Sequence, residues 1–276
     1  MADALAAPHP DTRPLLHREH RDGVLRLVLN RPGRRNSLSE GMMAALQDAL
    51  DSARDPDTRV VVVAANGPAF SAGHDLREIT ARRRDPDRGR AYFADIMARC
   101  SRLMQTIVML PRPVIAEVQG VATAAGCQLV ASCDLAVASS KARFGTPGVN
   151  IGLFCSTPMV ALSRNIARKH AMEMLLTGET ISADQARAYG LVNRVVPPER
   201  LCDETDALAR LIASKPRATV KIGKEAFYAQ LEMDLAGAYA YASKVMVENM
   251  LHRDSEEGIG AFLDKRPPDW SRDPDR

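Results

Sequence analysis

The sequence reads Pro113-Val-Ile-Ala-Glu-Val-Gln-Gly120 and continues Val121-Ala-Thr-Ala-Ala-Gly126-Cys-Gln128-Leu-Val-Ala-Ser-Cys-Asp134 in the middle of the chain. Its first part, 114–118, is apolar and β-branched, which is typical of a buried strand. The small residues that follow allow the backbone to turn tightly, and a ligand to approach it closely, at the start of a helix. A buried strand, a small-residue turn and a helix indicate an α/β protein.

A second turn of this kind lies about 50 residues upstream. The run Val60-Val-Val-Val-Ala64 predicts a buried strand, and Phe70-Ser-Ala-Gly73-His74-Asp75-Leu76 follows it. Gly73 permits a tight turn, Asp75 can cap a following helix, and such a turn leaves a backbone N–H near His74 free. Either turn alone could be an ordinary strand-to-helix connection. Two of them, each after a buried strand, favour a site built from backbone donors.

The rest of the pattern supports an α/β core followed by helices. Val24–Asn30 alternates as a strand does, Ser39 predicts the N-cap of a helix reaching Arg54, and 135–138 predicts another strand. A helix is expected from Tyr92 to Met109, after a charged segment at 82–90 that is expected to be a solvated loop or, less readily, a phosphate-contacting patch. Beyond Thr157 the pattern predicts helices at 157–166, 169–177, 182–189, 198–213, 217–231, 234–252 and 255–265.

Composition excludes several classes of protein. The net charge of +3 on 276 residues gives no argument for nucleic acid, and no apolar run is long enough to predict a membrane span. Five scattered cysteines without a CxxC pair predict neither disulfides nor a metal site. Residues 1–18 lack the apolar centre of a signal peptide and are expected to be a flexible tail. These features predict a cytoplasmic protein.

Together with Phe144-Gly-Thr-Pro-Gly148, the two turns resemble the crotonase (enoyl-CoA hydratase/isomerase) superfamily over roughly Val24 to Arg266. The resemblance implies a spiral of ββα units, with the core at 19–214 and a helical trimerisation region at 215–276. It implies an acyl-CoA thioester as the ligand, with coenzyme A as part of the substrate and no tightly bound cofactor. It also implies a homotrimer or a hexamer, and neither nucleic acid nor a membrane as partner.

The resemblance assigns an oxyanion hole to two backbone N–H groups, those of His74 and Ala125. In the family such a pair holds a thioester carbonyl and stabilises the enolate, and one donor of this kind contributes on the order of 10²–10³ in rate. The neighbouring positions are expected to contact the substrate: Ser71, Ala72, Gly73, Asp75, Leu76 and Ala124. The imidazole of His74 is expected to be incidental.

Two positions depart from the hydratases of the family. The resemblance places one hydratase acid at Gln128 and the other at Gly148, so the chain resembles the enoyl-CoA hydratase domain-containing branch that lacks both glutamates. Glutamine cannot exchange a proton near neutral pH, and glycine offers only its backbone. Gln128 could orient a water or the acyl group, or could simply pack. Standard hydration, which needs a general acid and a general base, is therefore doubtful.

Three further groups complete the candidate site. Cys155 precedes a predicted helix, where a thiol pKa can be lowered, so it is a candidate nucleophile, although a capping or pocket role is favoured. Arg34 and Arg35 lie in a loop that resembles the family loop along coenzyme A and supply donors suited to phosphate. Phe262 and Lys265 match a C-terminal signature through which a neighbouring subunit reaches the adenine.

The sequence thus predicts an enoyl-CoA hydratase/isomerase family protein that polarises a thioester carbonyl. Two alternatives stay open. One is a non-catalytic acyl-CoA binding protein. The other is an enzyme that carries out an enolate or thioester reaction other than hydration.

Overall fold

The computed structural model describes residues 14–270 and contains two β-sheets. Strands β1, β2, β3, β5, β7 and β10 form a six-stranded sheet in that order, and β4, β6, β8 and β9 form a four-stranded one. In chain order the strands are β1 (Leu16–Arg21), β2 (Val24–Leu29), β3 (Val60–Ala65), β4 (Ala69–Ser71), β5 (Val114–Val118), β6 (Val121–Thr123), β7 (Leu135–Ser139), β8 (Arg143–Gly145), β9 (Thr180–Ser182) and β10 (Arg194–Val196).

Successive strand pairs build a spiral. In the pairs β3/β4, β5/β6 and β7/β8, the first strand joins the six-stranded sheet and the second joins the four-stranded sheet. Neighbouring strands of successive turns are parallel, with Val61 beside Val114 and Ile115 beside Leu135. This arrangement confirms the predicted α/β crotonase-like spiral of ββα units.

Eleven helices belong to the described part of the chain. They are α1 (Glu40–Ser52), α2 (Leu76–Ala81), α3 (Arg90–Met109), α4 (Ala125–Ser132), α5 (Pro158–Asn165), α6 (Arg168–Thr177), α7 (Ala183–Tyr189), α8 (Leu201–Ala213), α9 (Arg217–Gln230), α10 (Leu235–Leu251) and α11 (Arg253–Leu263). Helix α1 begins where the sequence predicted, because the Ser39 side chain accepts a hydrogen bond from the Met42 N–H at 3.2 Å.

The core fills both faces of the six-stranded sheet. Residues 60–63 of β3 are completely buried, which explains why this strand has no polar alternation. The larger apolar cluster includes Phe70 and Phe144, and a smaller one packs Leu201 and Leu208 of α8 on the other face of the sheet. The sheet therefore provides a rigid layer on which the turns at its end are held.

Helix α9 is attached to this core by a buried ion pair. Lys224 Nζ lies 2.7 Å from Asp134 Oδ2 and also donates to the carbonyls of Ile107 and Arg112. Tyr228 Oη donates to the other carboxylate oxygen of Asp134 at 2.9 Å. Every donor of the ammonium is used, so the contact fixes where the C-terminal helices leave the core.

The C-terminal helices have a large apolar surface in the single chain. Neither α9 nor α10 contains a buried residue. Leu251, Phe262 and Leu263 are each more than 70% exposed. Helices α9, α10 and α11 pack mainly on one another. Large exposed apolar surfaces are common at interaction sites.

Several sequence expectations need correction. Residues 1–13 of the expected tail lie outside the described residues, but Leu16–Arg18 belong to strand β1 and pair with 27–29 of β2. The segment 82–90 is only partly a loop, because Arg82–Arg84 forms a 3₁₀ turn and Arg82 lies over the Tyr92 ring at 5.0 Å. Strands β9 and β10 interrupt the region where only helices were expected.

Candidate active site

The two turns singled out in the sequence are in direct contact. Gly73 has φ +88°, and a Cβ on it would lie 2.9 Å from the Cβ of Ala124 and 3.1 Å from the nitrogen of Ala125. A Cβ on Gly126 would lie 2.1 Å from the carbonyl oxygen of Ser71. Side chains at either glycine would force the turns apart, so the glycines hold the backbones of 71–74 and 124–126 together.

Two backbone donors are available at this contact. Ala125 is the first residue of α4, where an N–H has no intrahelical acceptor. Within residues 14–270, no hydrogen bond engages the N–H of His74 or that of Ala125. Ala124, the residue before Ala125, has φ 50° and ψ −122°, which is an unusual conformation for a residue with a side chain. Strain of this kind concentrates at functional sites, where the surrounding structure enforces it.

The loop with the two candidate coenzyme A arginines runs beside the first turn. The Ala72 N–H donates to the Arg35 carbonyl at 3.0 Å, and the Leu38 N–H donates to the Gly73 carbonyl at 2.8 Å. Arg34 and Arg35 are both exposed, so their guanidinium groups can reach a ligand at the surface. The structure therefore brings together two segments that the sequence suggested separately.

Asn36 holds this loop in place and was not assigned a role from the sequence. Its side chain is fully buried, donates to the carbonyls of Asn66 and Ala69 at 2.8 Å each, and accepts from the Arg31 N–H. Its φ of 51° lies in the left-handed region, which asparagine tolerates better than most residues. An asparagine after two arginines in a turn was the available signal.

The acids beside the first turn have structural partners. Asp75 caps α2 by accepting from the Arg77 N–H at 3.0 Å, and its other oxygen accepts from Ser37 Oγ at 3.3 Å. Glu78 Oε2 accepts from the Glu40 N–H at 3.0 Å, at the start of α1. Leu76 is half-exposed at the same rim. These carboxylates therefore hold helix N-termini and the loop at 31–38.

The imidazole of His74 is neutral in this setting. Burial lowers its pKa below the ordinary value of 6.5, and its interaction with the Leu38 carbonyl only partly opposes the effect. Nδ1 lies 3.4 Å from that carbonyl oxygen, and the buried Nε2 has no partner among the described residues. A neutral ring adds no positive charge to the pair of backbone donors.

Gln128 lies in α4 beneath the second turn and is only 4% exposed. Its Oε1 lies 3.9 Å from Cys100 Sγ, a weak donor. Burial raises the pKa of Cys100 to about 11, so this neighbour also carries no charge near neutral pH. Neither Gln128 nor its neighbour Cys100 can therefore exchange a proton with a substrate near neutral pH.

Gly148 and Cys155 share one space. Gly148 is buried in the 3₁₀ turn Pro147–Ile151, and a Cβ on it would lie 2.8 Å from Cys155 Sγ and 2.6 Å from the Leu153 carbonyl oxygen. The thiol thus fills the space that a side chain at position 148 would need. Position 148 does not open onto a void.

Cys155 is not activated as the position before a helix suggested. Burial raises the pKa of its thiol, and a hydrogen bond from the Gly148 N–H offsets this only in part. The thiol is 8% exposed and lies near Cys127, whose pKa burial raises to about 12. A protonated buried thiol is a poor nucleophile. The raised thiol pKa and the burial of Cys155 therefore favour the pocket role over that of a nucleophile.

Two other candidates lie away from these turns. Phe262 and Lys265 are at the end of α11, which packs on α9 and α10.

Within residues 14–270, no group of three or more metal-ligating side chains is suitably placed for a metal ion. No helix in that range is long and apolar enough to cross a membrane.

An α/β spiral whose two small-residue turns lie in contact defines the class of this fold as crotonase-like. Comparison with known proteins makes the assignment specific: residues 19–273 match the family model for enoyl-CoA hydratase/isomerase, and the chain belongs to that family. The human enoyl-CoA hydratase domain-containing protein 3, mitochondrial, is 52% identical over 254 residues, which cover 92% of this chain and 82% of the human protein.

Solved structures agree with this assignment. The crystal structure of an enoyl-CoA hydratase of Mycobacterium smegmatis has a TM-score of 0.89 and 53% identity, covering 94% of this chain and 99% of the other. The crystal structure of human enoyl-CoA hydratase domain-containing protein 3 has a TM-score of 0.89 and 50% identity, covering 93% and 100%. The predicted fold is thereby confirmed.

The expected cytoplasmic location is wrong on this comparison. The similar proteins of human, rat, frog and zebrafish all carry "mitochondrial" in their names. The lack of an apolar signal-peptide centre does not test for mitochondrial import, because import relies on amphipathic, basic segments rather than on an apolar centre.

Proposed function

We propose that the chain binds an acyl-CoA thioester and polarises its carbonyl between the N–H groups of His74 and Ala125. The observation that carries the proposal is the contact between the two turns, which leaves both N–H groups without an acceptor in the described chain. A thioester oxygen placed there would accept two hydrogen bonds, and both would strengthen as negative charge develops on it. Each donor would contribute on the order of 10²–10³ in rate.

Conventional hydration is not the reaction we propose. Addition of water needs one group to activate the water and one to protonate carbon, and neither Gln128 nor Gly148 can do so. Cys155 adjoins Gly148, but its raised pKa leaves it protonated and its exposure is small. What the arrangement can do is bind the thioester and stabilise an enolate, with the proton moved by a substrate group or by water.

The coenzyme A moiety would lie along the loop that carries Arg34 and Arg35. This loop is hydrogen-bonded to the first turn, so a thioester in the oxyanion hole would place the rest of the ligand within reach of both guanidinium groups. Phe262 and Lys265 would reach the adenine end from a neighbouring subunit. The apolar surface of the C-terminal helices supports assembly into a trimer or hexamer.

A second function needs a test because neither Gln128 nor Gly148 can transfer a proton. The protein could bind acyl-CoA without turning it over. The acids near the first turn are engaged by helix N-termini, and burial raises the pKa values of the Cys127 and Cys155 thiols. Binding and turnover must therefore be measured separately.

The experiment is a panel of acyl-CoA and enoyl-CoA thioesters, with binding followed by calorimetry and products followed by mass spectrometry. Wild type should bind with a Kd of roughly 1 μM to 1 mM, or about −8 to −4 kcal/mol. Gly73→Ala should weaken binding, because its Cβ would press on the Ala125 nitrogen. Gly223→Ala is the matched control, since a Cβ there would meet no other part of the described chain within 4 Å.

Binding with no product from any thioester would favour the non-catalytic function. If Gly73→Ala leaves the affinity unchanged, the thioester binds elsewhere than at these turns. No binding of any thioester at millimolar concentration would refute the proposed function altogether.

A further inference from the structure

A cluster of cationic side chains lies at the edge of the six-stranded sheet opposite the acyl-CoA site. Arg59 directly precedes β3, and Arg112 precedes β5 by two residues. Since β3 and β5 are parallel neighbours, their starting ends lie side by side. The turns of the candidate active site come after these strands rather than before them. The cluster is therefore a separate feature of the fold.

Helix α9 begins at the same place without a side-chain cap. Its N-cap position is Pro216, which lies between Lys215 and Arg217, the first residue of the helix, and its first turn contains no acidic residue. The N–H groups of Ala218 and Thr219 find no acceptor within residues 14–270. A helix N-terminus carries partial positive charge, so this end of α9 favours an anion.

Backbone contacts hold two of the cations at this position. Arg59 Nη2 donates to the Lys215 carbonyl at 2.5 Å, and Arg217 Nη1 donates to the Pro56 carbonyl at 3.1 Å. These bonds connect the segment between α8 and α9 to the loop before β3. Both guanidinium groups are thereby held beside the start of α9.

Arg112 is the least usual member of the cluster. It is only 6% exposed, and its buried Nε has no partner among the described residues. Burial, followed by the charges of Arg217 and Arg59, lowers its pKa. The negative charges of Asp55 and Glu225 raise the pKa of Arg112, but neither carboxylate forms an ion pair with it in the described chain. A buried cation without a charged partner is costly to fold.

These side chains surround a pocket. Arg59, Arg112, Lys215 and Arg217 supply all of its charged lining, together with the apolar Ile212 and Val220. The space nearest Arg112 is narrow, and an adjoining cavity of about 300 Å³ shares Arg59 and Arg217 and has Asp22 and Asp57 in its wall. The inner end of the pocket is therefore cationic, while the wall of the outer cavity carries both positive and negative side chains.

We propose that this pocket binds a tetrahedral oxyanion of the phosphate class at the N-terminus of α9. The anion would accept hydrogen bonds from the Arg112 guanidinium and from the first-turn N–H groups, and would face Arg59, Lys215 and Arg217. It would thereby connect the starts of β3 and β5 to α9. Inorganic phosphate and the phosphoryl group of a metabolite share this chemistry.

The test is calorimetric titration of the full chain with inorganic phosphate, supported by thermal unfolding at constant ionic strength. Wild type should bind phosphate at millimolar concentration, and its Tm should rise by about 3 °C when phosphate is present at roughly tenfold its Kd. Arg217→Gln should weaken binding by about tenfold or more, because it removes a charge-assisted contact. Arg112→Gln should also weaken binding by about tenfold or more. If Arg112→Gln does not fold, Arg217→Gln alone provides the test.

Arg168→Gln is the matched control, since Arg168 also opens a helix with no side-chain cap and no acid in its first turn but lies outside the cluster. It should bind phosphate as wild type does. A parallel titration with glycerol 3-phosphate distinguishes the sources: tighter binding than phosphate identifies a phosphomonoester, and weaker binding identifies the free ion. No heat with either ligand, or equal Tm shifts in Arg217→Gln and wild type, would overturn the proposal.

Discussion

At the residue scale, Gly148 shows why a missing side chain is not the same as an empty space. A Cβ at this position would meet both Cys155 Sγ and the Leu153 carbonyl oxygen at less than 3 Å. Gly148→Ala should therefore lower the free energy of unfolding by about 1–3 kcal/mol through overpacking. Denaturant unfolding measures this change.

The control is the double variant Gly148→Ala/Cys155→Ala, which removes the thiol and should recover part of the loss. Full recovery is not expected, because the Leu153 carbonyl remains. If Gly148→Ala alone is as stable as wild type, the thiol does not fill this space. The same reasoning applies to an engineered hydratase: Gln128→Glu with Gly148→Glu should gain hydration activity only when Cys155 is also made smaller.

His74 gives a pH-dependent prediction. Its lowered pKa means that folding favours the neutral ring, so its contribution to stability is present above pH 6.5 and is lost as pH falls from there. In His74→Gln, which keeps the backbone N–H, unfolding free energy should fall less steeply below pH 6.5 than in wild type. Chemical denaturation across that range measures the slopes.

Exposed His17 on β1 supplies the control for this measurement. His17→Gln makes the same substitution at an exposed position and should leave stability at neutral pH unchanged, which tests the effect of the substitution itself. Parallel slopes for His74→Gln and wild type would mean that the ring is not desolvated. Acyl-CoA affinity at neutral pH should be similar in all three proteins if position 74 contributes only its backbone.

At the element scale, the position of α9 depends on one buried ion pair. Lys224→Met removes the partner of Asp134 and leaves its buried carboxylate with the Val114 N–H and Tyr228 as its remaining donors among residues 14–270. The expected loss is about 3–5 kcal/mol, measured by denaturant unfolding. Lys221→Met on the same helix, where the side chain is exposed, should change stability by less than about 0.5 kcal/mol.

A double variant separates the ion pair from simple loss of packing. Adding Asp134→Asn to Lys224→Met should cost less than the sum of the two single changes, because the unpaired charge is then absent. Strict additivity would show that the two residues stabilise the fold independently. In that case α9 would be held by its apolar contacts instead.

The sequence predicted long elements well and short ones poorly. Helices such as α8 and α10 carry enough apolar periodicity to be located within a few residues, and β3 was recognised as buried on both faces. Strands β4, β6 and β8 have only three residues each, and their pairing comes from the spiral rather than from local preference. The contact between Gly73 and Ala124 could be inferred only from family resemblance, since no local pattern encodes a contact across the fold. Lys224 as the partner of Asp134 gave no sequence signal at all.

At the scale of the whole molecule, nothing in residues 14–270 covers the apolar surface of the last helices. Phe262 is 81% exposed, and neither α9 nor α10 has a buried residue. If these helices assemble the proposed trimer or hexamer, Phe262→Ser should weaken assembly, because it removes a buried apolar side chain. The expected loss of association free energy is roughly 1.5–3 kcal/mol per subunit contact. Light scattering across a dilution series measures the change.

The same variant should also lose affinity for coenzyme A thioesters, because the proposed adenine contact comes from the neighbouring subunit. Leu211→Ser is the control: Leu211 is a half-exposed apolar residue on α8, outside the three C-terminal helices. It should leave both properties unchanged. Weaker assembly with unchanged affinity would confine Phe262 to the subunit interface, and weaker affinity with unchanged assembly would place it at the ligand alone. If Phe262→Ser affects neither property, the exposed surface serves another purpose and the proposed trimer or hexamer does not form through Phe262.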